Sequence, residues 1–145
     1  MVPLIVLTVV TLVVALFRRP LALRAGLAAM FTTTGIAHFV GMRQELVAMV
    51  PPALPAPELL VTVTGVLELA GAAGLLIART APWAAAGLSL MLVAMFPANV
   101  HLANHSDAWD DQLLPRTLMQ LVFLAATVTV VRTSWPQPQP AGRTP

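Results

Sequence analysis

The chain has 145 residues, 58% of them hydrophobic and only 10% charged, with a mean hydropathy of +0.84. A soluble domain is about half apolar and about a quarter charged, so this composition excludes a water-soluble globule and points to a one-domain integral membrane protein. The net charge of +2 comes from scattered arginines, and cysteine is absent, which argues against nucleic-acid binding and excludes disulfides and thiol chemistry.

Taken in chain order, the apolar runs predict transmembrane helices at about residues 2–17, 21–40, 58–77, 82–103 and 116–131. A proline stands at or near the start of each: Pro3, Pro20, Pro57, Pro82 and Pro115. The first helical turn accepts proline because the missing N–H has no helical partner there anyway. The runs approach the roughly 20 residues that cross a hydrocarbon core and lack the alternation of a barrel strand. Residues 2–17 read as a helix rather than a signal peptide, since no basic residue precedes the run and Arg18-Arg19 follows it.

Between the second and third runs, residues 43–50 predict a short amphipathic helix on the membrane surface. The prolines of "VPPALPAP" then force an extended descent into the third span, and this segment is positioned to cover an opening in the bundle. Residues 133–145, "TSWPQPQPAGRTP", read as a disordered Pro-rich tail.

Orientation follows from the arginines. With the N-terminus outside, Arg18, Arg19, Arg24, Arg79, Arg132 and Arg143 face the cytoplasm, and only Arg43 and Arg116 lie outside. That asymmetry obeys the positive-inside rule. Trp83 and Trp135 then mark the inner interface and Trp109 the outer one, and the tail is cytoplasmic.

Polar residues within apolar spans are the candidates for function. Glu68 lies ten residues into the third run, near mid-membrane, with Thr64, Gly65, Gly71 and Ala72 on its face. A carboxylate at that depth is costly and is expected to be neutral or internally hydrogen-bonded, while the small residues allow close packing. His38 comes late in the second run, one turn after Thr34 and Gly35. Pro97 removes a donor from the fourth helix and frees the Val93 carbonyl, and Asn99 can supply an amide nearby. His101 lies about 200° around the helix from Asn99, so Asn99 is assigned to the interior and His101, with less weight, to the interface. Arg116 and Gln120 share a face of the last helix, with Gln120 one turn deeper. No set of residues suggests a metal site. A bis-histidine haem on His38 and His101 is the disfavoured alternative.

The segments "GIAHF", "VPPALP", "TGVLELAGAAGLL", "FPAN" and "RTLMQ" occur in the order and spacing of DoxX-like membrane proteins, so residues 24–131 resemble that family. The resemblance implies an all-α polytopic bundle, a four-helix DoxX-like core here joined by one N-terminal helix. It maps His38, Glu68, Pro97, Asn99, Arg116 and Gln120 onto the family's polar positions, with His101 a weaker match. It also implies a link to membrane oxidoreductases, among them a thiosulfate:quinone enzyme, and to complexes that handle oxidative stress.

These readings together give two expectations. In the first, the chain is the small membrane subunit of a redox system, working with a partner protein. His38, Glu68, Asn99 and Gln120 then converge on a quinone-like pocket in the outer half of the bundle, with Arg116 at its mouth. In the second, the chain is a non-enzymatic accessory, assembly or binding protein whose buried polar residues only fix packing.

Overall fold

All regular structure among the described residues is helical. The structure is a computed structural model and describes residues 2–17, 19–106, 108 and 112–135. The helices are α1 (Val2–Phe17), α2 (Arg19–Ala37), α3 (Arg43–Met49), α4 (Pro57–Leu76), α5 (Ala81–Ala94), α6 (Phe96–Ala103) and α7 (Leu113–Ser134). Three stretches are long and apolar enough to cross a membrane: α4, the run Ala81–Ala103 formed by α5 and α6, and α7. Shorter apolar helices occupy Val2–Ala15 and Leu21–Ala37.

Polar contacts fix how the helices run. Along α2, Arg24 bonds the Leu75 carbonyl, Thr34 bonds Glu68, and His38 packs against Gly65. Rising numbers on α2 meet falling numbers on α4, so the two are antiparallel. The same holds for α5–α6 against α7, where Ser89 bonds Thr127, the Leu92 carbonyl receives Gln120, and Asn99 bonds Gln120 and Arg116. α4 packs on α5, α2 touches α7, and α1 packs on α2. The short α3 contacts both α4 and α6, so the ends of α2 and α6 lie on one side of the bundle.

Between the two ends runs an apolar core. Leu27, Met30 and Phe31 of α2 meet Ala72 and Leu75 of α4, Ala85, Leu88 and Met91 of α5, and Phe123 and Val130 of α7. The outer faces are apolar too: Leu12, Leu59, Val66, Leu90 and Leu121 are all exposed. Water would penalise such a surface, whereas lipid tails solvate it.

Several boundaries differ from those expected. α2 stops at Ala37, short of residue 40, because the Arg43 guanidinium reaches back 3.1 Å to the His38 carbonyl and Gly41 turns the chain at φ +82°. The fourth span is interrupted at Met95, two residues before Pro97. α7 runs from Leu113 to Ser134, longer than 116–131, and takes in residues 133 and 134 of the expected tail. Thr133 returns its hydroxyl to the Thr129 carbonyl and stays helical, and the helix ends at Trp135, whose extended backbone suits a residue before proline. The rest of the tail, and Trp109, lie outside the described residues. Pro52, Ala53, Leu54, Pro55 and Ala56 are exposed, and the element that bridges α4 and α6 is α3.

Candidate functional site

Two polar groups occupy the end of the bundle where α2 finishes and α7 begins. The first joins α2 to α4. His38 is 3% exposed and Glu68 is 4% exposed. The Thr34 hydroxyl donates to Glu68 Oε2 and also lies 3.3 Å from the Met30 and Phe31 carbonyls. A hydroxyl has one proton and can also accept. With Glu68 ionised, Thr34 gives that proton to the carboxylate. With Glu68 protonated, the acid donates to the threonine oxygen and the threonine proton turns back to a helix carbonyl. The bond therefore survives either state.

Thr34 serves His38 as well. His38 Nδ1 lies 2.9 Å from the Thr34 carbonyl. A carbonyl only accepts, so Nδ1 carries the hydrogen and, in the neutral ring, Nε2 holds the lone pair. Nε2 has no hydrogen-bond partner among the described residues. The ring sits there because α4 presents glycine: a Cβ on Gly65 would stand 2.6 Å from His38 Cβ. Just outside, Arg43 Nη2 donates to Thr62 Oγ1 at 3.0 Å, so one arginine ties the end of α2 to the first turns of α4.

The second group joins α6 to α7. Arg116 Nη1 donates to Asn99 Oδ1 at 3.2 Å, Asn99 Nδ2 donates to Gln120 Oε1 at 2.9 Å, and Gln120 Nε2 donates to the Leu92 carbonyl at 2.8 Å. The two ends of this relay fix both amides. Arginine can only donate and a carbonyl can only accept, so the amide orientations follow without ambiguity. Its last member meets the carbonyl one residue before the predicted Val93, inside the turn where α5 gives way to α6. In a bilayer a backbone group left open by such a break must find a protein donor, and Gln120 is that donor for Leu92.

The predicted residues thus fall into two sets. Asn99, Arg116 and Gln120 form one continuous chain, and Glu68 and His38 meet through Thr34. No hydrogen bond joins one set to the other among the described residues. His101 takes no part: its ring stacks on His105, with centroids 4.3 Å apart. No group of three or more His, Cys, Asp or Glu side chains suited to a metal exists among the described residues. Thr34 and Arg43 were not picked out from the sequence as partners. The signal for Thr34 was its position four residues before His38 on one helical face. Nothing local marked Arg43, whose partners on α4 lie 15 and 19 residues away.

A family model described as "Domain of unknown function (DUF8561)" matches residues 27–136. No curated protein and no solved structure matches the chain.

Proposed function

The chain belongs to the DUF8561 family, and we propose that it is an integral membrane protein holding a quinone-like small molecule at the His38–Asn99 end of its bundle, as the membrane subunit of a redox system. The resemblance to DoxX-like proteins supports this reading, with α2, α4, α5–α6 and α7 as the four-helix core and α1 added against α2, where its Leu7 is buried. The observation that carries it is the unpartnered Nε2 of the buried His38. That nitrogen accepts a hydrogen bond from a quinol hydroxyl, and Glu68 with Thr34 offers a second proton-exchanging pair close by. The amide hydrogens of Asn99 and Gln120 outside the relay suit the opposite ligand oxygen. In this reading electron transfer is the work of the partner protein, and this chain supplies the ligand site. With the N-terminus outside, the His38–Asn99 end faces the outer leaflet and the tail is cytoplasmic.

The test is gentle purification from native membrane, followed by mass spectrometry of the lipid extract and an absorption spectrum. A quinone that accompanies the parent and is lost from His38→Leu supports the reading. A stable, colourless protein without such a ligand removes it.

One observation favours a second reading, an accessory protein without chemistry. The Arg116–Asn99–Gln120 relay runs from side chain to side chain onto the Leu92 carbonyl and closes the seam at Met95. A structural device has the same form. Under that reading His38→Leu keeps the same bound lipids and the same partners as the parent.

A further inference from the structure

At the opposite end of the bundle a cleft of about 520 Å³ opens between the start of α2, the α4–α5 turn and the end of α7. Leu23, Arg24, Ala78, Thr129, Thr133 and Ser134 are among the residues that line it. Arg24 is the chemical centre. Its Nε–H donates 2.7 Å to the Leu75 carbonyl, one of the last carbonyls of α4, which have no helical donor. Its Nη2 is buried and makes no hydrogen bond, and no acidic residue pairs with it among the described residues. One donor nitrogen of this guanidinium is therefore enclosed without an acceptor, and no carboxylate among the described residues offsets the charge. An enclosed donor in that state is costly and calls for a ligand.

The C-terminal ends of α4 and α7 lie beside the cleft, and their carbonyls attract the Arg24 cation without supplying a full anion to pair with it. Two further observations define the ligand. Arg79 and Arg132 adjoin the lining residues Ala78 and Thr133, adding positive charge at this end. Trp83 and Trp135 meet with ring centroids 4.8 Å apart at the same end, both exposed, and paired aromatics of this kind sit at the level of lipid headgroups. The geometry points to a binding site for the phosphate of an anionic membrane lipid: the Arg24 guanidinium grips the phosphate, the Thr133 and Ser134 hydroxyls line its surroundings, and Leu23 meets the glycerol and upper acyl chain. Basic pockets between helix ends hold anionic headgroups in this way. The site lies at the far end of the bundle from His38, and its test is independent of the quinone reading.

The full chain in detergent is titrated with dioctanoyl phosphatidylglycerol, with dioctanoyl phosphatidylcholine and with inorganic phosphate, reading the melting midpoint. The anionic lipid is expected to raise the midpoint saturably, with an apparent affinity at least about tenfold above that of the zwitterionic lipid. Inorganic phosphate is expected neither to shift the midpoint nor to displace the lipid. Arg24→Gln should abolish the response. Because Arg24 also holds the Leu75 carbonyl, Ala78→Phe serves as the second variant: it narrows the cleft from the exposed α4–α5 turn and leaves that bond intact. It should keep the lipid-free midpoint and lose the lipid-induced rise. Equal responses to the two lipids, or an Ala78→Phe response equal to the parent's, would overturn the site. A shift produced by inorganic phosphate alone would assign the cleft to the free anion and overturn the lipid.

Discussion

Thr34 and Glu68 join α2 to α4 by a hydrogen bond between side chains in the bundle interior, one turn from where His38 packs on Gly65. Thr34→Val keeps the shape of the side chain but takes away the partner of a buried carboxyl group. The expected cost is about 1–3 kcal/mol, seen as a lower melting midpoint in detergent. Glu68→Gln should accumulate normally because it keeps size and hydrogen-bonding capacity, whereas Glu68→Lys should not accumulate. Thr34→Val combined with Glu68→Leu should cost less than the two single changes together, since no unpaired group then remains. Strict additivity would show that the pair does not interact.

Gly65 should tolerate no side chain. A Cβ there meets His38 Cβ at 2.6 Å and His38 Cγ at 3.0 Å, and neither belongs to the free end of a flexible chain. Gly65→Val should destabilise by about 1–3 kcal/mol or more. Chemical-denaturant or thermal unfolding of the purified protein measures this, and an unchanged midpoint would mean that α2 and α4 are not in close contact at this point.

The role of Gln120 can be separated from simple bulk. Gln120→Leu removes the donor to the Leu92 carbonyl, at an expected cost of about 1–3 kcal/mol. Pro97→Ala restores an N–H and favours a continuous helix through Met95, in which Phe96 can bond Leu92 itself. The double variant should therefore lose less than Gln120→Leu alone. A double variant as unstable as the two single losses combined would contradict the assignment of Gln120 to the seam.

Orientation is open to direct labelling because the chain has no cysteine. A cysteine in place of the exposed Asn104 should react with an impermeant thiol reagent in intact cells. One in place of the exposed Arg79 should react only after lysis. The reverse pattern would invert the bundle and place the His38 end at the cytoplasmic leaflet.

Much of this architecture was legible from the chain. The apolar runs and their leading prolines located the helices, and the positions of Asn99 and His101 two residues apart separated the bonded residue from the stacked one. The pair Thr34–Glu68 was half visible: both residues were placed on inward faces, but a contact spanning 34 positions has no local signature. The Leu92 carbonyl escaped notice for a different reason, since a backbone acceptor leaves no mark in the side-chain pattern. Arg24 was counted only among the cytoplasmic charges, although it stands inside the predicted helix 21–40. Leu27, Ala28 and Phe31 follow it at helical intervals and all are buried, which marks its place on the inward side of α2. The end of α2 was misjudged because hydrophobicity continues through Val40, while the Arg43 clamp and Gly41 that end the helix act through tertiary geometry.

The break at Met95 also bears on how the protein is made. The ribosome delivers α5 and α6 before α7, so Gln120 emerges later than the Leu92 carbonyl that it satisfies. Until then that carbonyl lacks the side-chain donor that α7 brings. The last helix to be synthesised thus completes the hydrogen bonding of the one before, and a nascent chain arrested before residue 120 would present the membrane quality-control machinery with an exposed carbonyl at the break. The α5–α6 seam is closed only once α7 has been made and packed.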